Sequence, residues 1–255
     1  MKSQNPFEIK KPWVIAHRGY SGLYPENTIL AFKKAIEANA NWIELDISLS
    51  KDREVIVLHD DTLDRTTNLK GMASDFNCAE LAKAEAGTWK DSKFTGEGVP
   101  TLWEVWDLVA NSSSGLNVEI KSSAYEPGVK KDSIEAKVIR YAEDKKLLQR
   151  TLFSSFSWDS LAKIRELCTD AKIGILVGDN TPWEEALDIA FRLNAVSINL
   201  PFVSLTSEIV SSIHQEGFLV LSYTLNSEEE IRSGLLAGVD GIFTNFPERM
   251  SKLLT

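Results

Sequence analysis

Short apolar runs alternate with longer amphipathic stretches along the whole 255-residue chain. The strand-like runs cover 13–17, 41–49, 54–60, 116–121, 151–156, 172–177, 195–200, 218–225 and 240–244. Helical periodicity fills most of the intervals, where apolar residues recur every three or four positions. Several helices carry start signals. Thr101 with Glu104, Thr181 with Glu184 and Ser227 with Glu230 have capping-box spacing, and Pro182 occupies a favoured first helical position. Strand–helix alternation at this length predicts the α/β class with a parallel sheet, best matched by a TIM-type (β/α)₈ barrel. A doubly wound open sheet is the alternative.

Nine strand runs are one too many for an eight-stranded barrel. The 41–49 and 54–60 runs are joined by a polar turn around 50–53, too short for a parallel crossover, so they form an antiparallel hairpin with 54–60 as the accessory strand. With Asp52 and Arg53 at the turn centre, His59 is expected opposite Asp46. The stretch 62–99 has no clear strand and is rich in Gly, Lys, Asp and Thr. It reads as a small inserted lobe on the face where strands end. With no repeat or linker to split the chain, 1–255 is expected to be one domain carrying that insertion.

Strand alternation then sorts the charges. Glu44 and Asp46 share one face of their strand while Ile43, Leu45 and Ile47 share the other, and Glu119 with Lys121 repeats the pattern against Val118 and Ile120. The outer face of a barrel strand packs on helices, so the charged set points inward. Charge there is costly unless it is paired or bound to metal. Glu44, Asp46 and Glu119, with no cysteine cluster nearby, suit one hard divalent cation, Mg²⁺ or Ca²⁺. The competing reading is an internal salt-bridge network with Lys121 paired to Glu44 or Asp46. His17 and His59 both end strands and are expected to meet over these carboxylates, where imidazoles can act as general acid and base. Arg18 and Lys121 are the candidate cations for phosphate oxygens. Together these residues describe metal-assisted phosphoester or carboxylester hydrolysis.

Other residues add less. His214 is expected on a solvent-facing helix surface, and Trp103 and Trp106 at helical spacing belong to the core. Trp89, Phe94 and Tyr223 are candidate pocket linings. Ser154 and Ser155 lack the glycine elbow of a nucleophilic serine, and no glycine-rich nucleotide loop occurs.

Composition narrows the partners. The chain has 28 basic and 37 acidic residues, a formal charge of -9, which disfavours nucleic acid and stable anchoring on anionic membranes. Two cysteines in no metal-binding spacing, no apolar run of membrane-span length and no signal-peptide core make a reducing, cytoplasmic setting the expectation.

The motifs resemble those of the glycerophosphodiester phosphodiesterases. His17-Arg18-Gly19 followed by Pro25-Glu26-Asn27-Thr28 is similar to that family's HRG…PENT signature, Glu44-x-Asp46 to its ExD, His59-Asp60 to its HD and Glu119-x-Lys121 to its ExK. The similarity runs in order along nearly the whole chain, through Pro100-Thr101-Leu102 to Gly238-Val239-Asp240-Gly241. It implies a β/α barrel in which Glu44, Asp46 and Glu119 bind the divalent ion, His17 and His59 form the acid–base pair, and Arg18 and Lys121 hold phosphate. The substrate would be a small glycerophosphodiester such as glycerophosphocholine or glycerophosphoethanolamine, giving sn-glycerol 3-phosphate and an alcohol. Lysophospholipase D-like activity and a non-catalytic, metal-stabilised phospholigand-binding barrel are the alternatives. Two departures stand out. Tyr223-Thr224-Leu225-Asn226 replaces a W-T-x-N segment, leaving Tyr223 as the flat wall for glycerol. Asn245 stands where an acidic residue is common, which puts a local hydrogen bond in doubt.

Overall fold

A computed structural model describes residues 5–128 and 131–254. Each strand run extends as expected: β1 (Trp13–Ala16), β2 (Trp42–Leu49), β3 (Val55–Val57), β4 (Gly115–Ile120), β5 (Thr151–Ser155), β6 (Lys172–Leu176), β7 (Ser197–Pro201), β8 (Leu219–Tyr223) and β9 (Gly241–Thr244). The helices are α1 (Ile29–Glu37), α2 (Cys78–Leu81), α3 (Leu102–Ala110), α4 (Ile134–Asp144), α5 (Trp158–Leu167), α6 (Trp183–Leu193), α7 (Ser207–Gln215), α8 (Glu228–Ala237) and α9 (Pro247–Leu253). Eight strands pair in parallel in the order β1-β2-β4-β5-β6-β7-β8-β9, and β9 returns to β1. That closure makes a TIM barrel and excludes the open sheet.

Outward residues Ile43, Leu45, Ile47, Val118 and Ile120 pack in one apolar layer with helix residues such as Phe32, Trp106 and Val138. Trp103 and Trp106 stack in that layer, in the core as their helical spacing predicts, and Tyr141 packs against both. Inside the barrel, the end where strands begin is plugged by Trp13, Ile15, Trp42, Leu152, Leu221 and Phe243. Gly115 lies against Trp42 there, and a Cβ on it would sit 2.6 Å from the indole. Small against large is how barrel layers interdigitate. Further along the strands the interior becomes polar, with Glu44, Asp46, Asn117, Ser154 and Asn199 all buried.

The hairpin forms, with a register different from the expected one. β3 pairs antiparallel with β2 as Ile47↔Val57, Ser48↔Ile56 and Leu49↔Val55. Asp46 therefore faces Leu58, whose N–H donates to the Asp46 carbonyl at 3.0 Å, and His59 lies one residue beyond. The reason is the loop, which has three residues rather than two. Ser50 N–H closes it on the Glu54 carbonyl, and Arg53 turns the chain in the left-handed region at φ 63°. An odd loop shifts the ladder by one.

The capping boxes at Thr101/Glu104 and Ser227/Glu230 form. The one expected at Thr181 does not: Pro182, with ψ 133°, is still extended and takes the cap position, so α6 starts at Trp183 and Thr181 is one residue too early. Between β3 and α3, the 62–99 segment contains α2 and two short 3₁₀ turns, Ala73–Asp75 and Ser92–Phe94, with no regular strand among its residues. Its residues share a separate apolar cluster of Ile56, Leu58, Leu63, Ala73, Leu81, Ala86 and Val99. No helix among the described residues is long and apolar enough to cross a membrane.

Candidate active site

β1 ends where the chain must reverse sharply. Arg18 and Gly19 both adopt left-handed conformations, φ 54° and 75°. At Gly19 a Cβ would sit 2.8 Å from the backbone of Ala31, so only glycine fits. For Arg18 that conformation costs about 1 kcal/mol or more. The turn aims the Arg18 N–H at Glu44 Oε2, at 2.7 Å, and brings its guanidinium to Glu26 at 2.9 Å and Asp46 at 3.4 Å. The Pro25-Glu26-Asn27-Thr28 turn supports the same group. Asn27 Nδ2 donates to Asp46 Oδ2 at 2.9 Å, and the Thr28 hydroxyl accepts from Ala31 N–H to cap α1.

The carboxylates come from neighbouring strands. In the β2–β4 register Asp46 lies beside Glu119 and Glu44 beside Asn117. Oxygens of Glu44, Asp46 and Glu119 lie within 4.8 Å of one another. Burial, then the adjacent Asp46 and Glu119 carboxylates, raise the Glu44 pKa well above its ordinary value. Burial and Asp46 likewise push Glu119 up to about 7. Asp46 is held low even though burial opposes its charge, because Arg18, Lys121 and His59 face it. Lys121 Nζ lies 3.3 Å from Glu119 and 3.7 Å from Asp46. Lys121 thus pairs with Asp46 and Glu119, and the salt-bridge reading is realised as far as two cations can satisfy three carboxylates. Glu44 Oε1 is left buried without a hydrogen-bond partner. A clustered oxygen set with one partnerless oxygen and two carboxyls driven towards their neutral forms fits a hard divalent cation.

The two histidines are anchored differently. His17 Nδ1 donates to Asn245 Oδ1 at 2.7 Å, and the Ser21 hydroxyl lies 3.0 Å from the same oxygen. An amide oxygen only accepts, so Nδ1 carries the proton and Nε2 presents a lone pair. Burial and the neighbouring Arg18 charge lower the His17 pKa to about 4, keeping the ring neutral. His59 Nδ1 donates instead to Asp60 Oδ1 at 2.6 Å. The Arg65 guanidinium bonded to that carboxylate holds Asp60 well below the usual carboxylate range.

His17, Arg18, Glu44, His59 and Glu119 line one cavity of about 180 Å³, walled by Phe156, Leu176, Tyr223 and Phe243. Asp46 and Lys121 contact lining residues, Asp46 through Arg18 and Lys121 through Glu119. Tyr223 meets Phe156 and Phe243 edge to face, with ring centroids 6.1 and 6.3 Å apart, and its hydroxyl donates to the Val177 carbonyl. Trp89 and Phe94 do not join this wall. Phe94 is buried against Tyr24, and the Trp89 indole donates to the Ala86 carbonyl. Ser154 accepts from Asn117 and Ser155 donates to the Ile120 carbonyl, both in structural roles. His214 is exposed, as expected, and pairs with Asp240 at 2.7 Å.

Sequence reasoning missed Arg65 and Phe156, and it read Asn245 without its partner. Asn245 stood out as a departure that put a local hydrogen bond in doubt; in the structure its amide oxygen accepts from His17 Nδ1. Phe156 closed an apolar strand run, which left no sign of its exposure at the cavity mouth.

The chain matches the sequence profile of the Glycerophosphoryl diester phosphodiesterase family over residues 17–249. It is 39% identical to a glycerophosphodiester phosphodiesterase of Caldanaerobacter subterraneus subsp. tengcongensis, covering 96% of this chain and 98% of the relative. A glycerophosphodiester phosphodiesterase of Bacillus altitudinis is 37% identical, covering 94% and 97%. Among solved structures, an Oleispira antarctica phosphodiesterase in complex with the product sn-glycerol-3-phosphate superimposes with a TM-score of 0.87 at 30% identity, covering 98% of this chain and 99% of that one. The barrel, the order of its motifs and these likenesses agree, and the chain belongs to the glycerophosphodiester phosphodiesterase family of phosphoric diester hydrolases.

Proposed function

We propose that the protein hydrolyses small glycerophosphodiesters, such as glycerophosphocholine or glycerophosphoethanolamine, to sn-glycerol 3-phosphate and an alcohol with one divalent cation, Mg²⁺ or Ca²⁺. The observation that carries this reading is the partnerless, buried Glu44 Oε1 within a three-carboxylate cluster, in a cavity shared with two histidines whose Nδ1 atoms are both occupied. The product complex of the Oleispira antarctica relative supports the substrate class.

Glu44, Asp46 and Glu119 would hold the cation. When bound, it supplies positive charge to the phosphoryl oxygens and acidifies a nearby hydroxyl. Arg18 and Lys121 add the remaining positive charge for the phosphate, and Tyr223 offers an apolar wall to glycerol. The anchors separate the histidines into roles. His17 has a neutral amide behind it and a free Nε2, so it takes the proton from the attacking hydroxyl, whether the glycerol 2-hydroxyl or water. His59, held at Nδ1 by the Asp60 carboxylate, is the partner that donates a proton to the leaving alcohol as the P–O bond breaks. The 62–99 segment acts as an inserted lobe of a single 1–255 domain, beside the path of the leaving alcohol.

The test is release of choline from glycerophosphocholine, with glycerol 3-phosphate as the co-product, compared with release of choline from lysophosphatidylcholine, each with and without EDTA. Turnover of the first that EDTA abolishes and Mg²⁺ or Ca²⁺ restores is the expected result. Metal-independent turnover, or turnover of the lysolipid alone, overturns the proposal.

A further inference from the structure

The 62–99 segment contributes one charged side chain that touches both halves of the site without lining its cavity. Arg65 Nε and Nη2 donate to Asp60 Oδ2 and Oδ1 at 2.7 and 3.0 Å. Its Nη1 and Nη2 donate to Glu26 Oε2 and Oε1 at 2.9 and 2.8 Å. These are two bidentate forks from one guanidinium, a geometry that Lys cannot reproduce. Asp60 Oδ1 also receives His59 Nδ1, and Glu26 Oε1 also receives Arg18 Nη1. The bonds run without a break from His59 through Asp60, Arg65 and Glu26 to Arg18, which meets Asp46.

We infer that Arg65 is a positioning residue that holds the proton-donating histidine in register with the phosphate-binding arginine. The inference rests on the roles proposed above for His59 and Arg18. The Asp60 side chain is 26% exposed and His59 32%, so neither is packed rigidly in place. The forks are what orient them. Without Arg65, Asp60 can turn towards water, His59 loses its anchored Nδ1, and Glu26 keeps only Arg18. An exposed ion pair of merely structural value would instead contribute little, and equally to every substrate.

Leaving-group chemistry separates the two cases. Choline leaves as an alkoxide and needs a proton from His59, whereas 4-nitrophenolate leaves without one. On the metal-loaded full chain, Arg65→Met is expected to lower kcat for glycerophosphocholine about 30-fold while lowering it only about threefold for sn-glycerol 3-phosphate esterified to 4-nitrophenol, because acid catalysis supplies about 10²–10⁴ in rate only where the leaving group needs it. Asp60→Asn is expected to show the same asymmetry, and the double variant to lose little more than the stronger single one, as groups acting in one chain do. Arg65→Lys is expected to recover less than half of the loss on a logarithmic scale. Equal losses on both substrates, or additive losses in the double variant, overturn the inference.

An activity-independent readout keeps it testable if Arg65→Met is poorly active for other reasons. The His59 Nδ1–H proton is expected to give an NMR resonance in the wild type that broadens or vanishes in Arg65→Met and in Asp60→Ala. Its persistence in Arg65→Met overturns the inference. Absence of turnover of either diester by the wild type would strike the proposed activity instead, and the NMR outcome would still decide whether Arg65 anchors His59.

Discussion

The two ends of the barrel interior are equally dry and chemically opposite. Trp42 and Asp46 lie on the same face of β2, and each is 1% exposed. At the first end Trp42 meets Phe7 and Trp13, with ring centroids 4.6 and 5.4 Å apart, against the bare backbone of Gly115. At the other end, Asp46 meets Arg18, Asn27 and Lys121. Burial alone therefore says nothing about role. The apolar end contributes stability through area removed from water. The charged end opposes it, since desolvated carboxylates repel one another.

Three experiments sharpen that contrast, in descending size of effect. At the charged end, His17→Ala and His59→Ala are each expected to reduce kcat on glycerophosphocholine by about 10³-fold. Calorimetric titration should still detect divalent-cation binding in both variants. Loss of that binding would make the altered histidine a ligand. At the apolar end, Trp42→Ala is expected to lower unfolding free energy by about 3–5 kcal/mol, measured by denaturant melts, with kcat per folded molecule unchanged. A fall in kcat of the folded fraction would show that the two ends are not separable.

The third effect is pH-dependent. Glu119 titrates at about 7 because burial and Asp46 favour its neutral form, and Glu44 is shifted in the same direction. Cation binding must displace those protons, so affinity should fall by about tenfold or less per pH unit, for each proton displaced, as pH drops below 7. The sign agrees with stability linkage. A carboxyl pKa raised above its unfolded value costs the cation-free fold stability as pH rises from the unfolded value towards 7, so stabilisation by the cation should grow over that interval. A pH-independent affinity between pH 5.5 and 8 would place the cation elsewhere.

Most of the architecture could be read along the chain. Period-two alternation in β2 and β4 put Glu44, Asp46 and Glu119 on the inner face and Ile43, Leu45 and Val118 on the outer one, and both assignments hold. The short 50–53 link identified the hairpin. The register escaped because it depended on one backbone angle: a left-handed Arg53 lengthens the loop to three residues and moves His59 past Asp46. His59 still reaches the cavity, because the chain leaves the ladder after Val57 and turns towards it. Thr181 failed as a cap for a similarly local reason, the extended ψ of Pro182.

The residues that went unread are those whose partners are remote. His17 and Asn245 are separated by 228 positions, and Arg65 bridges Glu26 across 39. No periodicity relates such pairs, and the chemistry of asparagine alone does not announce what its amide oxygen will accept. Alternation, caps and turn residues act over a few bonds, so strand faces, helix starts and the list of reactive side chains were present in the chain itself. Which oxygen meets which imidazole, and that one carboxylate oxygen is left without a partner, arose when β9 closed on β1 and the loops after the strands converged. Those relations depend on distances between elements far apart in the chain, and barrel closure sets them.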